Sequence, residues 1–316
     1  MPLLSVEDLH AGYSAGGAPL RAVDGVSFTV EPGETVGLVG ESGCGKSTLA
    51  KVLMRLVDPS AGRILFDGTD VGTLRGSALK GYRRQAQMVF QDPFASLNPR
   101  HTVGDILKGP LEVHSIGTRA SRAEAAGAAL ERVGLPAEAL ARYPHEFSGG
   151  QRQRLGIARA LILKPRLVIC DEPVSALDLS IQAQILNLLT RMKADFGLSY
   201  LFISHDLSVV RYFADRVLVM YLGRIVETGT WQEIFSRPLH PYTRALMEAV
   251  PTAGRRRHAA PLAGDLPSAR NVPSGCRFHP RCPLATPLCA QADPALLPAG
   301  GGQQVACHHA PAAALH

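Results

Sequence analysis

Apolar and polar positions alternate over Ser5–Leu9 and Val26–Val30, the period of half-buried strands. Glu34–Val39 is a short apolar run that enters a glycine-rich turn. Lys46–Val57 then places Leu49, Val52, Leu53 and Leu56 at helical spacing and stops at Asp58-Pro59. Gly62–Asp67 and Gln87–Phe90 predict further strands. From Pro93 to Arg154 the pattern is mostly helical, and a helix continues over Gln151–Leu163. Leu167–Cys170 and Tyr200–Ile203 are continuous apolar runs, as in strands buried on both faces, with a helix over Ser180–Asp195 between them. Ala214–Tyr221 and Gly223–Glu227 predict a late hairpin, and Pro241–Val250 a last helix. Strands alternating with helices around an all-helical insertion predict an α/β core on a parallel sheet, with a helical subdomain at about 93–154.

The pattern changes after Pro251, where Arg255-Arg-Arg257 leads into a Pro- and Ala-rich stretch with little periodicity. A boundary is expected near 250–255, giving a domain over 1–250 and an extension over 251–316 whose last residues fray. The 316 residues agree with that division at roughly 100–200 residues per domain. Apolar runs such as Val217–Leu222 stop near six residues, far short of the ~18 that span a bilayer. The first residues lack a basic segment followed by a long apolar one, so no secretory signal is expected. Of the formal net charge of +6, the residues from Arg255 onward carry +4. The body is nearly neutral and holds no basic block, which argues against a nucleic-acid face.

Gly40-Glu-Ser-Gly-Cys-Gly-Lys46-Ser47 fits G-x-x-x-x-G-K-[ST] between a predicted strand and a predicted helix, the context of a phosphate-binding loop. In such a loop the backbone around Gly40, Ser42, Gly43 and Gly45 turns N–H groups toward phosphates. Lys46 reaches the terminal phosphates, and the hydroxyls of Ser47 and Thr48 open the helix, Ser47 as a Mg²⁺ ligand. Asp171 and Glu172 end the apolar run from Leu167, where a parallel sheet presents its ligand-binding edge. Asp171 suits Mg²⁺ coordination, and Glu172 suits the base that polarises an attacking water. Ser148-Gly149-Gly150-Gln151 opens a helix, with Ser148 as N-cap and two glycines exposing backbone N–H groups to a second phosphate contact.

Phe147-Ser-Gly-Gly-Gln151 resembles the signature of ATP-binding cassette (ABC) proteins, with Phe where Leu is usual. Further matches follow in the order of that family. Tyr13 stands where an aromatic stacks on adenine, and Gln91 where a glutamine loop senses the γ-phosphate and the Mg²⁺. Ser175-Ala-Leu-Asp178 resembles the D-loop, and His205 the switch histidine. The resemblance implies a P-loop NTPase with a RecA-like core and helical subdomain. It also implies two ATPase subunits clasping ATP between the phosphate loop of one and the signature of the other, with Lys46, Glu172 and His205 catalytic.

Cys276-x5-Cys282-x6-Cys289-x17-Cys307 supplies four thiols within a short tail, the donor set of an iron–sulfur cluster or of zinc. Pro273-Ser-Gly-Cys-Arg-Phe-His-Pro-Arg-Cys-Pro283 and Val305-Ala-Cys-His308 resemble the C-terminal extension of oligopeptide/dipeptide permease ATPases, which is associated with a 4Fe-4S cluster. Arg237-Pro-Leu-His-Pro-Tyr242 is similar to the same group. The resemblance implies a peptide importer: a second, paralogous ATPase, two transmembrane permease subunits, an extracytoplasmic solute-binding protein, and a place on the cytoplasmic side of the plasma membrane. Nickel or another solute is the alternative cargo, and a soluble cassette ATPase the alternative class. Cys170, in an apolar run, is expected to be inert core, and Cys44 is given no chemistry.

Overall fold

The computed structural model describes residues 1–15, 18–92, 96–248, 267–268 and 270–310. The expected boundary near 250–255, the fraying end at 311–316 and the middle of the phrase that follows Gln91 lie outside the described residues. The chain divides into two units, one of Met1–Val30, Thr35–Gly72 and Phe202–His316, the other of Glu31–Glu34 and Thr73–Leu201.

In the first unit, β1 (Leu4–Ala15) and β2 (Ala18–Val30) form a long antiparallel pair. With β4 (Ala61–Phe66) and β5 (Thr69–Asp70) they make a sheet of order β2-β1-β4-β5. Both strands outrun the alternating stretches in the sequence because bulges break the period, with register shifts between Val6 and Leu9 and between Ala11 and Gly12. Further strands of this unit are β3 (Thr35–Val39), β9 (Arg216–Tyr221) and β10 (Arg224–Thr230). β3 runs parallel to β9 and is buried along its whole length, so its sequence is a continuous apolar run. β9 and β10 form the predicted hairpin, and both residues of its turn, Leu222 (φ +42°) and Gly223 (φ +84°), have the positive φ that matches the twist of a two-residue connection.

The helix after the glycine-rich turn, α1 (Lys46–Leu53), is shorter than its spacing predicts. Arg55 adopts φ +54°, with its guanidinium on the Gly72 carbonyl and on Asp58, and Leu56 is left 53% exposed. An apolar residue in helical register therefore lies beyond the helix, facing out. α7 (Leu207–Phe213), α8 (Trp231–Ser236) and α9 (Pro241–Glu248) complete the central part of the unit, of which α7 and α8 were not anticipated. The extension contributes α10 (Pro287–Gln291), β11 (Leu297–Pro298) and β12 (Gln304–Val305). β12 pairs with β10, Glu227 opposite Val305 and Thr228 opposite Gln304, and so covers a sheet edge. Strands of two residues have no period to read, which is why the sequence past Pro251 looked irregular.

In the second unit, β6 (Ala86–Val89) runs parallel to β7 (Leu167–Asp171), with Val89 opposite Cys170. An unanticipated helix, α2 (Gly76–Gln85), precedes β6. Between β6 and β7 lie α3 (Val103–Val113), α4 (Arg119–Arg132) and α5 (Gly149–Leu161), with no strand among the described residues. Thr102, Thr118 and Ser148 cap them, each side chain accepting a bond from a backbone N–H three residues on. α6 (Leu179–Phe196) ends at Gly197, φ +62°, a left-handed C-terminal residue. The division between the units falls inside β8 (Ser199–Ser204).

Candidate nucleotide site

β3 ends at Val39, and the chain turns through Gly40–Gly45 before α1 begins at Lys46. Two glycines make that turn possible. A Cβ on Gly45 (φ +113°) would lie 2.0 Å from the Ala22 carbonyl oxygen, and one on Gly40 would lie 2.2 Å from the Met220 oxygen, distances no side chain tolerates. Lys46 is 4% exposed, and its Nζ donates to the carbonyls of Gly40 (2.7 Å) and Glu41 (3.0 Å). The ammonium thus lies inside the loop at a helix N-terminus, where backbone N–H groups and charge together favour a phosphate. Ser42 and Gly43 are exposed at the rim, Ser47 and Thr48 are half-buried on the first turn of α1, and Cys44 is buried. Burial pushes the Cys44 thiol up against the opposing pull of Lys46, which keeps it neutral.

His205 is exposed between β8 and α7, beside Asp206, whose carboxylate accepts from Ser208 N–H at 2.7 Å. Tyr13 lies on β1 opposite Leu20 and is 39% exposed. These two residues belong to the same unit as the phosphate loop.

The second unit holds the other predicted residues. Asp171 closes β7 and is 4% exposed. Glu172 follows in the left-handed region, φ +46°, a costly conformation for a side chain with a Cβ. Its carbonyl accepts from the N–H (3.3 Å) and Oγ (3.1 Å) of Ser175, so the D-loop residues form the turn that aims Glu172. Gln91, just past β6, donates from Nε2 to Glu172 Oε2 at 3.3 Å, 81 residues away in sequence. At the start of α5, Ser148 N–H donates to Gln151 Oε1 (2.9 Å) and Gln151 N–H to Ser148 Oγ (3.3 Å), a reciprocal capping box. Gly150 allows α6 to approach, since a Cβ there would lie 2.6 Å from Ile181 Cγ2. The signature Phe147 is 3% exposed with the Arg142 guanidinium 4.4 Å from its ring centroid, so the ring fills the place of the usual Leu. A cavity of about 280 Å³ is lined by Gln91, Gly149, Gln153, Ser175 and Leu177, bringing the glutamine loop, signature and D-loop to one place.

Four contacts near the phosphate loop have no counterpart in the sequence reading. Glu41 N–H donates to Tyr242 Oη (2.8 Å), and both carboxylate oxygens of Glu41 accept from Arg281 (2.7 and 3.0 Å). Arg277 donates to the Leu222 carbonyl and to Asp24. Burial alone would raise the Asp24 carboxyl, but Arg277, His10 and Arg224 outweigh it and hold it below the usual range. The phrases around Tyr242 and around Arg277–Arg281 stood out in the sequence, but their contacts with the loop did not, because residues so far apart leave no spacing to detect.

Cys276, Cys282, Cys289 and Cys307 all lie in the first unit as free thiols. Burial pushes Cys276 up to about 11; a bond from the Phe278 N–H opposes it, and Cys289, Cys307 and Cys282 add to the rise. Burial raises Cys282 and Cys307 in the same way. Cys289 Sγ lies 3.4 Å from Thr286 Oγ1 and 3.4 Å from His309 Nε2. Among the described residues no three His, Cys, Asp or Glu are gathered so as to hold a metal ion. The expected four-sulfur ligand set is therefore not assembled: the thiols feel one another electrostatically, yet as placed they do not fit a cluster or zinc. Cys170 is fully buried and its thiol is raised far above the ordinary range, as expected of an inert core residue.

A lysine enclosed by a glycine-shaped loop at a helix N-terminus, on a strand buried in a parallel pair, defines a P-loop nucleotide-binding protein. Residues 23–175 match the ABC transporter family, and residues 226–289 match the oligopeptide/dipeptide transporter C-terminal region. The probable peptide ABC transporter ATP-binding protein y4tS of Sinorhizobium fredii is 55% identical over 99% of this chain and 92% of its own. The oligopeptide transport ATP-binding protein AppF of Bacillus subtilis is 54% identical over 92% of this chain and 89% of its own. Among solved structures, the ATP-binding cassette MJ0796, in a dimeric post-hydrolysis state with ADP and Pi, aligns with a TM-score of 0.66 at 28% identity, covering 72% of this chain and 98% of its own. The chain belongs to the ABC transporter ATP-binding subunits of the oligopeptide/dipeptide permease family. It is the ATPase subunit of a peptide import system, which implies permease and further ATPase subunits beside it. No helix among the described residues is long and apolar enough to cross a membrane.

Proposed function

We propose that this chain hydrolyses ATP at its own phosphate loop and that Glu172 is the base. The observation that carries the reading is the Gln91–Glu172 hydrogen bond, which couples the γ-phosphate-sensing glutamine to the carboxylate that takes the proton. Lys46 and the loop amides hold the β- and γ-phosphates, and His205 contacts the γ-phosphate. A water oxygen attacks the γ-phosphorus, its proton passes to Glu172, and the bond to the β-phosphate oxygen breaks to release ADP. Mg²⁺ supplies charge neutralisation across the phosphates, and the oxygen donors of Ser47, Asp171 and Gln91 are of the chemistry that ion takes. Tyr13 stacks on the adenine.

Ser148–Gln151 supply the second phosphate contact to a partner ATPase, a paralogue in this reading. The dimeric state of the solved cassette supports a paired arrangement. The pair docks on two permease subunits at the cytoplasmic face of the plasma membrane and receives peptides from an extracytoplasmic solute-binding protein. The domain division at 250/251 and the helical subdomain at about 93–154 belong to the same reading. A 4Fe-4S cluster on Cys276, Cys282, Cys289 and Cys307 is its finest part and rests on the resemblance of the extension alone, because the thiols as placed form no metal-holding group among the described residues. Iron and labile sulfide measured per chain after anaerobic purification test it, and less than one iron per chain rejects it. The hydrolysis reading is tested by steady-state ATPase of the full chain with its co-expressed partners, before and after Glu172→Gln. Turnover unchanged by that substitution removes Glu172 from the role.

A further inference from the structure

Every polar backbone or side-chain group of Glu41, the second residue of the phosphate loop, has a partner. Its carbonyl accepts from Lys46 Nζ (3.0 Å) and Cys44 N–H (3.3 Å). Its N–H donates to Tyr242 Oη (2.8 Å), and its carboxylate is gripped by both terminal nitrogens of Arg281. Tyr242 opens α9, and Arg281 ends a 3₁₀ turn, His279–Arg281, that belongs to the C-terminal extension. The loop itself supplies only the carbonyl's partners; the rest of Glu41 is held by parts of the chain more than 200 residues away.

The extension is anchored firmly enough to do this. Phe278, 1% exposed, packs edge-on against Tyr221 (5.3 Å between centroids) and tilted against Tyr242 (5.5 Å). Tyr221 and Tyr242 are themselves fully buried and 4.7 Å apart. Arg277, one residue earlier, bonds the Leu222 carbonyl, and the neighbouring Gly223 N–H donates to the Cys44 carbonyl (2.8 Å), a second link to the loop. The Arg281 side chain is only 5% exposed and the Glu41 side chain 25%, so their fork-to-fork pair is shielded from water and salt.

We propose that Arg281 is a positioning residue for nucleotide binding: through Glu41 it sets the conformation of the phosphate loop, which makes the C-terminal extension part of the ATP site. The inference rests on the phosphate loop binding ATP, and it is independent of Glu172 being the base. Arg281 orients Glu41, whose carbonyl in turn holds the Lys46 ammonium; releasing the carboxylate frees the loop to sample conformations in which Lys46 and the amides no longer converge. The cost falls on binding, since ATP must first gather Lys46 and the amides and, once bound, holds them in the same convergence as in the wild type.

The test compares Arg281→Met, Glu41→Gln and the swapped pair Glu41→Arg/Arg281→Glu in the full chain. The readouts are fluorescence titration with an N-methylanthraniloyl ADP probe and the KM for ATP against kcat. The expected result is about a tenfold loss of nucleotide affinity and a matching rise in KM in either single variant, with kcat within about twofold, and recovery to within about threefold of wild type in the swap. A tenfold loss corresponds to about 1.4 kcal/mol. Affinity unchanged in Arg281→Met, or a fall in Arg281→Met with none in Glu41→Gln, overturns the proposal. If Arg281→Met fails to fold, Glu41→Gln, which leaves the extension intact, decides alone. Failure of the wild-type chain to bind the probe would instead refute the nucleotide reading beneath it.

Discussion

The Gln91 side-chain amide donates to the Glu172 carboxylate over 3.3 Å, joining the end of β6 to the end of β7. Two neighbouring parallel strands thus deliver the proposed γ-phosphate sensor, Gln91, and the candidate base to one point. Glu172 is held at φ +46° by the turn that Ser175 closes, so the backbone fixes the direction in which its side chain leaves the chain.

Glu172→Gln keeps the size and the capacity to hydrogen-bond while removing the basic oxygen. Steady-state ATP hydrolysis is expected to fall by about 10²–10⁴-fold, the usual worth of a general base. ATP binding is expected to stay within about twofold, as read by nucleotide titration of the same protein.

The capping box at the start of α5 makes a separable prediction. Ser148→Ala removes the acceptor for Gln151 N–H and is expected to cost about 1 kcal/mol of stability, read in urea unfolding. ATP binding to the isolated chain should be unaffected, whereas hydrolysis by the assembled ATPase pair should fall at least tenfold. Equal loss in both assays would place Ser148 in the fold and not in the second phosphate contact.

His240 carries a pH signature. Burial pushes its imidazole down to about 3, helped by Arg244, while its Nδ1 accepts the Tyr242 N–H at 3.0 Å. The unfolded chain takes up a proton near the ordinary histidine value of about 6.5, the folded chain only near 3, so falling pH favours unfolding across that window. The neighbouring Glu227 works in the opposite direction, because burial raises its carboxyl and a proton binds the folded state more readily. Comparing wild type with His240→Gln isolates the histidine. The stability difference between them should shift against wild type by up to about 1.4 kcal/mol per pH unit below pH 6.5. Parallel unfolding free energies at pH 7.5 and pH 5 would refute a neutral buried histidine.

Phe278→Ala empties the aromatic cluster that fastens the extension. A fully buried aromatic cut back to Ala costs about 3–5 kcal/mol. Loss of near-ultraviolet dichroism from Tyr221 and Tyr242 should accompany the fall in melting temperature, and an unchanged melting temperature would show that the extension is not anchored there.

Much of this molecule was legible from its amino acids alone. The phosphate loop, the signature cap, the Asp171–Glu172 strand end and the late hairpin are all contiguous segments, in which spacing along the chain is itself the geometry. The length of α1 was misread because Arg55 leaves the helix for partners at Asp58 and Gly72, which local periodicity does not register. The pairing of β12 with β10, the grip of Arg281 on Glu41 across 240 positions and the scattered placement of the four cysteine sulfurs were settled only by the tertiary structure. Contacts between distant parts of a chain depend on how whole elements pack, and no pattern within a short window of sequence encodes that.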